Sequence, residues 1–483
     1  MKPVVLVVMD GVGLRNEEQG NAFRQADTPN LDELMEKGYA RLEASGPAVG
    51  LPEGYTGNSE VGHLHLGAGR RIPQRLKRIN ESIEDGSLAQ KEALVEALER
   101  AERNSTAVHF AGIISDGGIH GHIDHLKALL EIKEDYDIEK TYIHCFTDGR
   151  DVAPKSAKKY LEKIEAWCEE YNAEIATVMG RFYSMDRDKN WDRTFKAYRA
   201  MAEAEGFKFE KPGNAVDKTY RDGDYDYFIQ PSVSKNYPGM TEDDEVIFYN
   251  YRADRERQIE EELVADADPD EFDEPIHPNF TSMLPYEREL DEPSIFQKKI
   301  VDGTLGEKIE DAGYSQLRVA ESQKIPHVTY FFNGQRELEF EHEDREFIKS
   351  DKIRAYDEAP EMHADETASI VVDAIENQEY DFILLNFANG DLVGHTGDLE
   401  AAITAVETVD RNIAHIVDAV KDSDYSLLIT ADHGNCEDMG TKEQPNTSHS
   451  LNPVPLIGVN TEVELENGEI WEVENIIEDI MDL

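Results

Sequence analysis

The chain is 483 residues long and carries 49 Lys and Arg against 102 Asp and Glu, a formal charge of −53. That length is enough for about three domains at about 150 residues each, or for two large ones. An apolar content of 39% beside 31% charged residues supports real cores and excludes wholesale disorder. The charge argues against nucleic acid or an anionic membrane as partner, since both need a basic surface. Three cysteines (Cys145, Cys168 and Cys436) exclude a disulfide framework and point to a reducing cytoplasm. So many acids predict a heavily hydrated surface on a salt-adapted protein, in which an anionic substrate would need clustered arginines.

In chain order, Val4–Met9 is an unbroken apolar run that predicts a strand buried on both faces, ending at Asp10-Gly11. It is too short for a membrane span and has no signal-peptide cleavage site. The middle of the chain holds a series of apolar runs, each feeding a turn with chemistry in it. Residues 108–114 lead to Ser115-Asp-Gly-Gly-Ile-His120, and 141–146 lead to Thr147-Asp-Gly-Arg-Asp151. Residues 175–179 lead to Gly180-Arg181, and 245–248 lead to Asn250-Tyr-Arg-Ala-Asp-Arg255. The acidic stretch 266–273 reads as a solvated loop, and linkers are expected near 70–74 and 293–299. Near the C-terminus, 381–387 leads to Asn389-Gly-Asp391 and 425–430 to Ala431-Asp-His-Gly434, with a helical pattern over 400–420 between them. This is α/β alternation, and in open parallel sheets ligands bind beyond the carboxyl ends of the strands.

Three aspartates and three histidines fall at such strand ends. Asp391 and His395 are spaced to share one face of a helix. Asp432-His433 follows a buried strand, His449 lies in a later loop, and Asp10 ends the first strand. Carboxylate with imidazole suits a divalent metal, and the carboxylate share favours Mn²⁺ over Zn²⁺. Cys436 has no second cysteine nearby and reads as a small packed residue. Ser59, within Gly57-Asn-Ser-Glu-Val-Gly-His63, reads either as a helix N-cap or as a group placed where a helix dipole welcomes phosphate. The middle-region turns supply Arg150, Arg181, Arg187, Arg252 and Arg255 with His120 and Asp151, a set of bidentate donors for phosphate and carboxylate. There is no Walker loop, no H-E-x-x-H and no convincing dinucleotide motif.

At these residues the chain resembles the cofactor-independent phosphoglycerate mutases, which need no 2,3-bisphosphoglycerate and belong to the alkaline phosphatase superfamily. The segments that carry the likeness run nearly end to end. They include Val8-Met-Asp-Gly11, Gly57 to His63, Asp148-Gly-Arg-Asp151, Ala253-Asp-Arg255, Asn389-Gly-Asp391 with Val393-Gly-His395, and Thr430-Ala-Asp-His-Gly-Asn435. The resemblance implies that Ser59 is the phosphoryl-accepting nucleophile and Asp151 the proton carrier. It implies one metal on Asp10, Ser59, Asp432 and His433, and a second on Asp391, His395 and His449. It gives substrate-clamping roles to His120, Arg150, Asp151, Arg181, Arg187, Arg252 and Arg255, and a phosphate contact to Lys324. Val12, His65, Cys436 and Ser322-Gln323 depart from the usual residues, but none of these is an implied ligand. Because Asp10 and Asp432 would share a metal, the chain ends are expected to form one alkaline phosphatase-like dimetal domain, 1–73 with 299–483. An α/β substrate-clamping domain, 74–298, would be inserted into it, and hinge closure would keep water from a phosphoserine. The expected protein is a cytoplasmic monomer acting on phosphoglycerate. Phosphomonoesterases and phosphopentomutases of the same superfamily share the metal residues, but need not share Asp148–Asp151 or the arginine-bearing strand ends.

Overall fold

A computed structural model describes residues 2–265, 275–286, 290 and 292–483; the stretch 266–273, read as an acidic loop, lies outside them. The chain divides into two compact units, Met1–Gln74 with Ile300–Leu483, and Arg75–Lys299. Both are α/β. Among the described residues no helix is long and apolar enough to cross a membrane, and all three cysteines are free.

The first unit is built on an eight-stranded sheet. Its strands run in the order Glu343–Ile348, Gln316–Glu321, Phe382–Phe387, Val4–Met9, Ser426–Thr430, Val454–Val459, Ala40–Glu43 and Gly468–Glu469. The first five are mutually parallel, and Val454–Val459 is antiparallel to both its neighbours. Every residue of Val4–Met9, Phe382–Phe387 and Ser426–Thr430 is buried, which is why their sequences read as continuous apolar runs rather than alternating ones. The helix Leu399–Lys421 starts at Asp398, whose side chain accepts from the Ala401 N–H. It buries Ala402, Ala405, Val406, Val409, Ile413, Ile416 and Val420, one face at helical spacing. At roughly 1.5–3 kcal/mol for each fully buried large aliphatic side chain, that stripe fixes the helix to the core.

The second unit has a seven-stranded sheet in the order Phe207–Phe209, Ser232–Ser234, Glu174–Gly180, Thr141–Thr147, Val108–Ile113, Glu245–Phe248 and Asn279–Ser282. The strands from Glu174–Gly180 through Asn279–Ser282 are parallel. In each unit, adjacent parallel strands deliver their carboxyl ends to the same edge, and the candidate site residues follow those ends.

Candidate active site

In the first unit four neighbouring parallel strands place their following residues side by side. Val4–Met9 delivers Asp10, Phe382–Phe387 delivers Asp391, Ser426–Thr430 delivers Asp432 and His433, and Gln316–Glu321 delivers Lys324. The backbone allows this only through close approaches. Gly11 has φ +76°, and a Cβ there would stand 2.7 Å from the Asp391 Cα; one on Gly62 would stand 2.5 Å from the Asp432 carbonyl oxygen. Asp391 and His395 lie within one turn of helix, with His395 Nε2 3.1 Å from Asp391 Oδ1. His449 Nε2 is 3.2 Å from the same oxygen and 3.0 Å from His395 Nε2. Carbonyl oxygens orient the other nitrogens: Thr447 faces His395 Nδ1 at 2.7 Å, and Gly57 faces His449 Nδ1 at 2.9 Å.

Ser59 opens the helix Ser59–Ala68 and is buried. The N-cap reading is corrected here: Asn58 is the cap, its side chain accepting from the Val61 N–H. Asn58 is extended and one residue earlier, so the first turn already closes on it, and Ser59 Oγ is released for other contacts. That oxygen accepts from Lys324 Nζ at 2.8 Å and lies 2.9 Å from His433 Nε2 and 3.1 Å from Asp10 Oδ1. Lys324 Nζ also reaches Asp391 Oδ2 at 2.8 Å and Asp10 Oδ1 at 2.9 Å.

Electrostatics follow from this crowding. Burial alone would discourage ionisation of Asp10, but Lys324 and His433 outweigh it and hold the carboxyl far below its usual range. Asp391 is likewise lowered against its burial by Lys324, His395 and His449. Burial works against a charged Lys324, yet Asp10, Asp391 and Asp432 raise it above its ordinary value. His433 is raised to about 10: burial opposes the cation, and Asp432, Asp10 and Asp391 overcome it.

Of three groups of three donors whose atoms lie within 4.8 Å of one another, one, His120 with Asp254 and Glu256, is in the second unit; the other two are in this unit, Asp391 with His433 and His449, and Asp10 with His63 and Asp432. His433 Nε2 lies between them, 3.4 Å from Asp10 Oδ1, 3.7 Å from Asp432 Oδ2 and 3.8 Å from Asp391 Oδ1. His63 was not singled out from the sequence beyond its motif. Its Nε2 is 3.0 Å from the Asn386 amide nitrogen, whose orientation is fixed by donation to Asp10 Oδ2 at 2.8 Å. The Nε2 lone pair is therefore used, and Nδ1 carries the proton, donated to the Ser59 carbonyl at 2.9 Å, with Asp432 Oδ2 3.1 Å away. His63 thus lies beside Asp432 without offering a lone pair of its own. Asp432 Oδ2, fully buried, accepts no hydrogen bond among the described residues. Three buried carboxylates facing one ammonium, with an acceptor left open, fit divalent cations.

In the second unit, the turns after four adjacent parallel strands hold the remaining residues. Asp148 accepts from the Arg150 N–H (3.1 Å), the Asp151 N–H (2.9 Å), Arg181 Nη1 (2.8 Å) and Ser115 Oγ (2.6 Å), which sets the Asp148–Asp151 turn. Arg181 is fully buried and also pairs with Asp151. Asp254 ties Arg187 Nη1 and Arg252 Nε, each at 3.0 Å. Burial lowers Arg255, and the fields of Arg187, Arg181 and Arg150 lower it further. His120 is buried and pushed down to about 3, first by burial and then by Arg181, Arg252 and Arg255. Like charges gathered this closely are suited to an anion. Of the departures, His65 is a neutral structural residue. Its Nε2 accepts the Ile72 N–H at 3.0 Å, and burial lowers it to about 4.

A family model described as the metalloenzyme superfamily matches residues 2–480. The 2,3-bisphosphoglycerate-independent phosphoglycerate mutase of Moorella thermoacetica is 44% identical, over 99% of this chain and 96% of that protein. The mutase of the same name from Clostridium novyi is 45% identical, over 94% of this chain and 91% of that protein. Among solved structures, the Leishmania mexicana phosphoglycerate mutase determined at low cobalt concentration matches with a TM-score of 0.74 and 28% identity, over 99% of this chain and 95% of that one. The chain belongs to the 2,3-bisphosphoglycerate-independent phosphoglycerate mutases of the metalloenzyme superfamily.

Proposed function

We propose that the protein interconverts 3-phosphoglycerate and 2-phosphoglycerate by passing the phosphoryl group through Ser59, with no bisphosphoglycerate. The supporting observation is a buried serine oxygen at a helix start, contacted by Lys324, His433 and Asp10 within 3.1 Å. As the Ser59 Oγ–P bond forms, the bond from phosphorus to the glycerate oxygen breaks, and Lys324 offsets the charge on the transferring group. Asp151 returns a proton to the freed glycerate oxygen and takes one from the hydroxyl that next attacks the phosphoserine. His120, Arg150, Arg181, Arg187, Arg252 and Arg255 hold the substrate's carboxylate and phosphate.

Asp10, Ser59, Asp432 and His433 would hold one divalent ion, and Asp391, His395 and His449 the other. When bound, two such ions balance the four negative charges of three aspartates and a serine alkoxide and make that alkoxide accessible at neutral pH. Oxygen-rich donors with imidazole make Mn²⁺ our choice. Free cysteines fit a cytoplasmic setting, and we read the protein as a monomer.

The decisive experiment is isomerisation in ¹⁸O-water without added bisphosphoglycerate. Product phosphate should stay unlabelled and activity should persist. Glycerate and free phosphate as the main products under saturating substrate would replace this reading with a phosphomonoesterase. Action on pentose phosphates in preference to phosphoglycerate would replace it with a phosphopentomutase.

A further inference from the structure

The turn that carries Arg252 and Arg255 also carries two carboxylates, which look out of place in a site for an anion. Asp254 is accounted for by its pairs with Arg252 and Arg187. Glu256 is not. It is completely buried, and among the described residues it forms no ion pair with a lysine or arginine. Its Oε1 accepts from Asn250 Nδ2 at 2.8 Å and its Oε2 from the Arg255 N–H at 3.2 Å. Asn250 in turn accepts the Ile113 N–H at 2.8 Å, so the carboxyl is anchored to the ends of two strands. The next group is His120: its Nδ1 is 3.7 Å from Glu256 Oε1, buried, and without a hydrogen-bond partner.

We propose that Glu256 is a positioning residue of the anion clamp: as a neutral acid it donates its O–H to His120 Nδ1, fixing the histidine tautomer that presents an Nε2–H donor to the substrate. A small side-chain rotation closes the remaining distance. The alternative, an ionised Glu256, would draw the proton to Nδ1 and add a negative charge to a site that binds an anion. The charged and titratable groups facing Glu256 agree with the neutral form. Burial raises its carboxyl to about 8, and Asp254 adds to this. Asn250, the Arg255 N–H and Arg181 offset only part of it. Tyr286 stays protonated, raised well above its usual value by its own burial and by Glu256 and Glu260. His120 is kept neutral first by burial and then by Arg181, with Arg252 and Arg255 adding to it; Asp254, its Oδ1 3.8 Å from Nδ1, opposes them but does not outweigh them.

The inference rests on reading His120 and the arginines as the substrate clamp, and the test separates the two. Glu256→Gln removes the titrating proton at nearly unchanged size; its amide nitrogen can donate to His120 Nδ1 but, unlike the carboxyl oxygen, cannot also accept from Asn250 Nδ2. With the Mn²⁺-loaded enzyme and 3-phosphoglycerate, KM of the wild type should rise severalfold relative to Glu256→Gln between about pH 7 and about pH 9. The kcat ratio of the two proteins should stay flat across that range. Ionisation of the substrate affects both proteins alike, so the ratio of KM values is the readout. Parallel KM profiles in the two proteins overturn the role of Glu256. An Arg255→Ala variant with unchanged KM overturns the clamp reading instead. If Glu256→Gln does not fold, Glu256→Met supplies a second neutral side chain with the same expected flat profile. If neither folds, Glu256 is a structural anchor and the proposal fails.

Discussion

Lys324 shows how much of the site depends on one side chain. It is buried, and its ammonium lies 2.8 Å from Ser59 Oγ, 2.8 Å from Asp391 and 2.9 Å from Asp10. An ammonium placed there without reorganisation is worth most when negative charge builds on the transferring phosphoryl group. Lys324→Met keeps the apolar stem and removes the charge. Its kcat should fall roughly 10²–10³-fold, the usual cost of one preorganised donor, while added Mn²⁺ should still bind, because Lys324 is not among the proposed metal donors. Steady-state kinetics with metal analysis of the same preparation checks this; a kcat within a few-fold of the wild type would take Lys324 out of the mechanism. The same scale shows where sequence reading stops. His63 appears in the chain only as the end of a motif, because the groups it meets, Asn386 and Asp432, are distant in sequence. Asn386, the lone polar residue in the strand Phe382–Phe387, was the available signal. Glu256 directly follows the arginine-bearing turn Asn250–Arg255 and carries no motif of its own, so only its burial reveals it.

Elements carry the legible part. Parallel strands covered on both faces must be apolar throughout, so the runs at 4–9, 141–146, 245–248 and 425–430 announce both the strands and the turns that follow. Their order in the sheets does not follow from such runs, since any of them can lie beside any other. The second unit contains an exception to the rule that those strands are apolar. His109 on Val108–Ile113 and His144 on Thr141–Thr147 are fully buried, with His109 Nδ1 3.0 Å from His144 Nε2. The chain continues to Thr177 Oγ1, 3.0 Å from His144 Nδ1, and back to Asp244 Oδ2, 3.5 Å from His109 Nε2. Burial lowers both imidazoles; Asp244 partly offsets this for His109, and His109 adds to it for His144. The folded values thus lie below the unfolded ones, so the stability from this pair is fully present above the unfolded value of about 6.5. It is lost as the pH falls below that value and the unfolded chain takes up protons first. The urea midpoint of this unit, followed through the tyrosines Tyr142 and Tyr237 that pack on the pair, should therefore drop between about pH 7 and about pH 5. In His144→Asn the slope should be shallower. An identical slope in both proteins would assign the acid sensitivity to other buried histidines.

At the scale of the whole molecule the governing quantity is the charge of −53. Some carboxylates are buried and bonded, as at Asp10, Asp148 and Asp391, but the larger share lies at exposed or half-exposed positions. Exposed pairs such as Lys37 with Glu33 or Lys127 with Glu131 offset little, because a solvated ion pair is worth at most about 1 kcal/mol. Acids outnumber bases by about two to one, so most have no partner to find. The folded chain holds these charges closer together than the unfolded chain does, and their mutual repulsion opposes folding. Salt acts on this directly: the screening length shrinks from about 10 Å at 0.1 M to about 3 Å at 1 M, below the spacing of most surface charges. Thermal unfolding should therefore shift to higher temperature as KCl rises from dilute buffer to molar concentration, with the steepest gain at the low end where screening changes most. Sucrose stabilises by exclusion and leaves charges unscreened, so at equal osmolality it should give a smaller and more linear rise. An unfolding midpoint that ignores KCl, or tracks sucrose, would mean that hydration of the acids rather than relief of their repulsion sets the stability of this surface.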